Sequence, residues 1–106
     1  MIETKIYVGL NDSETKEQKL DTEKYISILR NVCRSYGVAF SFVLQQGGYI
    51  HEDGTYTQEN TIVLSLIDAD ENIIGEIAKD LCAFFHQESV LITQGTIRAY
   101  FISESI

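Results

Sequence analysis

Apolar residues in this chain recur at every second position, then at every third or fourth, and that alternation happens twice. Lys5 to Leu10 ("KIYVGL") places Ile6, Val8 and Leu10 on one side and Tyr7 and Gly9 on the other, the pattern of a half-buried strand. Residues 11–20 ("NDSETKEQKL") are polar and aperiodic and read as a solvated connection. Asp21 or Thr22 then offers a helix N-cap. Tyr25, Ile28, Leu29, Val32, Cys33 and Tyr36 form a helical stripe, which Gly37 can end in the left-handed conformation.

Val38–Gln46 returns to period two with Val38, Phe40, Phe42 and Leu44 inward, and residues 61–67 ("TIVLSLI") set Ile62, Leu64 and Leu66 on one face. Gly47-Gly48 and Asp53-Gly54 mark residues 47–60 as a hairpin connection longer than a tight turn. Asp70 or Asn72 can cap a second helix, buried along Ile74, Ile77, Ala78, Leu81 and Phe84 or Phe85. In the last strand, Val90 and Ile92 cannot share a face with Ile97, Ala99 and Phe101 unless one residue is inserted. A glycine bulge at Gln94-Gly95 supplies it, and a tight hairpin at the same place is the alternative.

The order strand-helix-strand-strand-helix-strand predicts a single α+β domain over residues 1–106. Its architecture is ferredoxin-like βαββαβ, an antiparallel sheet with two helices on one face. With 44% hydrophobic residues, the 106-residue chain can build one core unaided. Cys33 and Cys82 form no CxxC pair and fall on the helices' buried sides, so both read as reduced core thiols. A cytoplasmic location is expected, since "MIETKIYVGL" lacks the pattern of a secretory signal and no apolar run is long enough to span a bilayer. The formal charge of −8, with dispersed basic residues, disfavours nucleic acid and anionic membranes as partners.

Starting with the first strand upward, this topology brings three connections to one end of the sheet: 11–21, 45–60 and 86–89. Tyr49, His51, Glu59, His86, Gln87 and Glu88 lie in or beside them and are the candidate binding residues for a small polar ligand. The plainer reading is that these residues end a helix and fasten loops. His51 and His86 with Glu59 or Glu88 are weak candidates for a metal site, because no pair has a spacing that forces convergence. No nucleophile elbow, phosphate loop or dinucleotide fingerprint is present, and no cofactor is implied. The open face of the sheet carries Tyr7, Val43, Val63 and Tyr100, more apolar than a solvated face needs. That predicts self-association, with two sheets packed about a two-fold axis.

Three stretches resemble a family of small uncharacterised domains known by the label "domain of unknown function": "KIYVGLN", "GGYIHEDGTYTQENTIVL" and "FFHQESVLIT". The resemblance rests on Gly48-Tyr49, Gly54, Glu59 and the Phe-x-Gln-Glu-Ser-Val run at Phe85–Val90. It departs at Tyr49, where relatives carry Trp, and in lacking their export leader. The likeness implies a fold and singles out Glu59, Gln87 and Glu88, but implies no reaction. The resulting expectation is a non-catalytic, self-associating domain that binds a small polar ligand. The alternative is a protein-interaction module, an inhibitor or adaptor of the kind mobile genetic elements carry, using its acidic surface or open sheet face. A barrel-type enzyme with a deep pocket between helices and sheet ranks last, because Phe40, Phe42, Leu64 and Phe101 are expected to fill that space.

Overall fold

A computed structural model describes residues 1–50 and 52–104. The elements are β1 (Ile2–Gly9), α1 (Thr22–Ser35), β2 (Ser41–Ile50), β3 (Tyr56–Ile67), α2 (Glu71–Phe84) and β4 (Leu91–Thr96). They form one antiparallel sheet in the order β2-β3-β1-β4, which is the expected ferredoxin-like α+β fold. No helix among the described residues is long and apolar enough to cross a membrane.

Even-numbered residues of the two central strands supply the sheet's half of the core: Ile6 and Val8 from β1, with Leu10 just past its end, and Ile62, Leu64 and Leu66 from β3. The stripes of both helices cover them, with Tyr25, Ile26, Leu29, Val32 and Cys33 from α1 and Ile74, Ile77, Ala78 and Leu81 from α2. Each such aliphatic side chain contributes roughly 1.5–3 kcal/mol on leaving water. Phe85, only 2% exposed, closes the core at one end, with its ring centroid 5.0 Å from that of Tyr25. Burial pushes the Cys33 thiol up to about 11.

Both helices stop by the same device. At the end of α1, Gly37 takes φ +66° while Gly37 N donates to Arg34 O and Val38 N donates to Cys33 O. At the end of α2, His86 takes the left-handed position at φ 53°, His86 N donates to Ala83 O and Gln87 N donates to Cys82 O. These are Schellman closures, and glycine fills that position without strain whereas histidine does not. Asp70 caps α2, its Oδ1 accepting from Asn72 N and Ile73 N, whereas Asp21 occupies the N-cap of α1 without a side-chain bond.

Two expectations are corrected. The 47–60 connection is mostly strand: β2 and β3 pair from Ser41↔Ser65 out to Ile50↔Tyr56, and among the described residues only 52–55 of it lie outside the two strands. His51 lies outside the described residues. Gly48 sits within the ladder because the Tyr56 ring lies over it; a Cβ there would be 2.6 Å from Tyr56 Cε1. The hairpin therefore runs beyond the helices, and the molecule measures 59 × 27 × 26 Å.

The second correction concerns the tail. β4 pairs with β1 in continuous register from Leu91↔Tyr7 to Thr96↔Ile2, without a bulge. Its antiparallel course runs back along β1 until Ile97 N donates to Met1 O and Met1 N donates to Ile97 O. Residues 98–104 leave the sheet, and Phe101, expected inward, is 93% exposed.

Two outcomes are expected. Phe85→Ala should lower unfolding free energy by about 3–5 kcal/mol in denaturant titration, the range for deleting a buried aromatic ring. In native protein at pH 8, iodoacetamide should leave the fully buried Cys33 unmodified and reach it only after unfolding, as mass spectrometry of the alkylated chain would show.

Candidate functional site

The site begins where β1 ends. Leu10 N donates to Asn60 O at 2.9 Å, so pairing with β3 continues one step past the strand. The next residue, Asn11, is held on three sides. Its N–H donates to Glu59 Oε2 at 3.1 Å, its Nδ2 donates to Gln58 O at 3.1 Å, and its carbonyl accepts from Gln87 Nε2 at 2.5 Å. This clasp joins β1 to β3 and to the turn after α2.

The Glu59 carboxylate lies across Gly9. A Cβ at Gly9 would stand 2.6 Å from Glu59 Cδ and Oε2, so the missing side chain is what seats the carboxylate. Local geometry explains why this strand carries a glycine near its end.

The 11–21 connection folds around Asp12, which is 4% exposed. Asp12 Oδ1 accepts from Glu14 N at 2.8 Å and Thr15 N at 3.2 Å. Its Oδ2 faces Lys19 Nζ at 3.4 Å and His86 Nδ1 at 3.5 Å. The main-chain donors of Glu14 and Thr15 hold the Asp12 carboxyl below its ordinary value, with Lys19 adding to the effect against the opposing cost of burial. Lys16 closes the turn in the left-handed region, at φ 63°, with its N–H on Asp12 O and its ammonium on Ser13 O. Ser13 N donates to His86 O at 3.0 Å, tying this connection to the α2–β4 turn.

Between these segments lies an open cleft of about 230 Å³. Tyr49, Glu59, Gln87 and Glu88 line it, joined by Asn11, Asp12, Ser13, Lys16 and Ser89. Four of the six residues singled out from the sequence therefore meet at one place. His86 does not: its side chain lies on the other side of the turn, over a cleft lined by Asp12, Lys19, Leu20, Tyr25, Phe84 and Phe85. Among the described residues no three His, Cys, Asp or Glu side chains gather to hold a metal ion. Gln87 fastens the 11–21 connection rather than the hairpin, so it acts on the cleft through Asn11.

Lys16 and Ser13 are the lining residues that sequence patterning passed over. The left-handed turn that aims Lys16 is made by Asp12, whose "Asn-Asp-Ser" context signals a turn but not which side chains it presents. On the open sheet face, Val43, Val63, Tyr7 and Leu91 form one row across four strands. Val63 is buried between its neighbours, while Val43 is 62% and Leu91 61% exposed. Tyr100 lies in the tail beyond this row, beneath the Arg98 guanidinium at 5.7 Å.

Known structures resemble this one. A phage SAM lyase in complex with S-methyl-5′-thioadenosine matches with a TM-score of 0.65 and 24% identity, over 89% of this chain and 79% of that one. A phage SAM lyase in the apo state matches with 0.64 and 23%, over 89% and 78%. The periplasmic divalent cation tolerance protein CutA from Archaeoglobus fulgidus matches with 0.57 and 11%, over 93% and 87%. At these identities the likeness shows a shared fold. No family model matches the chain, and no curated relative does.

Two predictions follow from the geometry. Gly9→Ala should leave the fold intact, because the group displaced is the mobile end of Glu59, yet the Asn11 amide should lose its Glu59 acceptor and exchange several-fold faster in hydrogen-exchange measurements. Asp12 has a folded-state pKa below its ordinary 3.8, so its ionisation stabilises the fold fully above that value and the contribution is lost as pH falls through the folded value. The stability difference between wild type and Asp12→Asn in urea titrations should thus be constant above about pH 5 and shrink below that ordinary value.

Proposed function

We propose that the cleft binds S-adenosylmethionine and cleaves it to S-methyl-5′-thioadenosine. The observation that carries this reading is the convergence of Glu59 and Glu88 with Tyr49 and Asn11 on one small cleft. It occurs in a fold shared with a phage SAM lyase seen with that product.

Charge favours such a substrate. S-adenosylmethionine carries a sulfonium and an ammonium against one carboxylate. Three carboxylates and one ammonium line the cleft, and the Asp12 carboxylate is already engaged by its turn, Lys19 and His86. Glu59 retains oxygen lone pairs beyond the one that accepts from Asn11, and Glu88 has no hydrogen bond or ion pair among the described residues. These two are the groups available to a cation.

The reaction needs no co-reactant. The substrate's own carboxylate attacks its Cγ, the Cγ–S bond breaks, and its electron pair goes to sulfur. A four-carbon lactone and neutral S-methyl-5′-thioadenosine result. The step cancels the sulfonium charge but leaves the ammonium charged throughout. A protein carboxylate therefore helps when it grips the ammonium and hinders when it stabilises the sulfonium. Glu59 and Glu88 are assigned to the ammonium, and Lys16 to orienting the attacking carboxylate.

The expectation of a non-catalytic ligand-binding domain is thus extended to a reaction at the same residues. Incubation with S-adenosylmethionine and chromatography of the products tests it. Wild type should release S-methyl-5′-thioadenosine, and Glu59→Gln or Glu88→Gln should slow release by about 10²-fold, the scale for removing one electrostatic contact. Binding of both compounds in thermal unfolding without turnover would leave a ligand-binding domain. Neither binding nor turnover would remove the reading altogether.

A further inference from the structure

We infer that the C-terminal tail of one copy adds as a strand to the free edge of β2 in a second copy. This rests on the sheet and not on the proposed reaction.

Each side of that contact is visible in one chain. The tail has lost its partner strand: beyond Ile97 the main-chain groups of residues 98–104 make no hydrogen bond to another described residue. Its side chains nevertheless suit a strand, since "RAYFI" at 98–102 is rich in β-formers. Tyr100, Phe101 and Ile102 are 69%, 93% and 84% exposed, an apolar load that isolated chains do not leave in water.

β2 presents the complementary surface. It is the outermost strand on its side of the sheet and pairs with β3 alone. Its ten residues, "SFVLQQGGYI", contain no charge and no proline, and its ladder has no bulge. Those are the devices by which natural edges resist pairing, and β2 has none of them. In a chain of net charge −8, Ser41–Ile50 and residues 98–102 are also free of acidic side chains, which lowers the repulsion two copies would otherwise meet.

The occupant must come from another molecule. β4 and β2 lie at opposite margins of the sheet. Crossing three strand spacings takes about 14 Å. The tail would have to cover that distance and reverse before pairing with β2 of its own sheet, whereas residues 98–104 run on from β4 with no main-chain hydrogen bond to β2. The tail cannot fold back on β4 either, because residues 97–102 contain no Gly, Pro, Asn or Asp to make the turn. The contact joins unlike surfaces, so each copy gives a tail and receives one, and the assembly closes as a ring or a reciprocal pair. It also differs from the sheet-on-sheet dimer suggested by the open face alone, because main-chain bonding at the edge specifies it.

Light scattering and hydrogen exchange on the full chain provide the test, comparing wild type with Ala99→Pro and Phe101→Asp. Ala99 lies in the unpaired tail, so proline there removes one donor without touching the folded core. Wild type at tens of micromolar should have a mass that is a multiple of 12.0 kDa. Both variants should fall to one chain with an unchanged circular dichroism spectrum. The amides of Ser41–Ile50 should exchange several-fold faster in the variants while those of β1 do not change. A monomeric wild type overturns the inference. So does an assembly of unchanged mass in both variants, or β2 exchange that does not respond to them.

Discussion

The length of β1 governs this molecule. It is the only strand bonded on one side to β3 and on the other to β4, and its even-numbered side chains lie under both helices. Its first residues determine how far β4 can pair, and its last residues determine where the loops of the cleft are anchored. A different residue at Gly9 would move Glu59 and with it the carboxylate that binds Asn11.

The cleft is built more from main chain than from side chain. Asn11 contributes its N–H, its carbonyl and its amide to three different elements, and Asp12 spends its carboxylate shaping the turn beside it. Among the described residues, three non-glycine positions lie in the left-handed region: Lys16 and His86 stand at this end of the sheet, and Asp68 is at the β3–α2 turn. Such conformations cost of order 1–3 kcal/mol each and persist where surrounding bonds enforce them. Here Ser13 N on His86 O and Lys16 N on Asp12 O are among those bonds.

The helices and the two central strands were legible because burial on one face leaves an unambiguous period. Ile6, Val8 and Leu10, and likewise Ile62, Leu64 and Leu66, all point where alternation places them, and Gly37 ends α1 as its position implies. The hairpin was misjudged because paired glycines signal a turn, whereas Gly48 makes room for the Tyr56 ring inside a ladder. The tail was misjudged for a different reason. Ile97, Ala99 and Phe101 have the alternation of a buried strand, but period says nothing about whether a neighbouring strand extends far enough to receive them. The convergence of Tyr49, Glu59, Gln87 and Glu88 was accessible from topology, which fixes which loops meet. That Gln87 holds Asn11 while Glu59 rests on Gly9 depends on distances that no pattern encodes.

The long hairpin gives the cleft two walls of unequal firmness. Asn11, Glu59 and Gln87 are tied to strands whose opening requires breaking the core. Tyr49 rides on a ribbon that projects past the helices, where few apolar contacts oppose local opening. The ribbon that carries Tyr49 can therefore open at a small fraction of the global unfolding free energy while the opposite wall stays in place. For the ligand proposed to bind there, the rate of leaving would be set by the tempo of the ribbon and not by the rigidity of the scaffold.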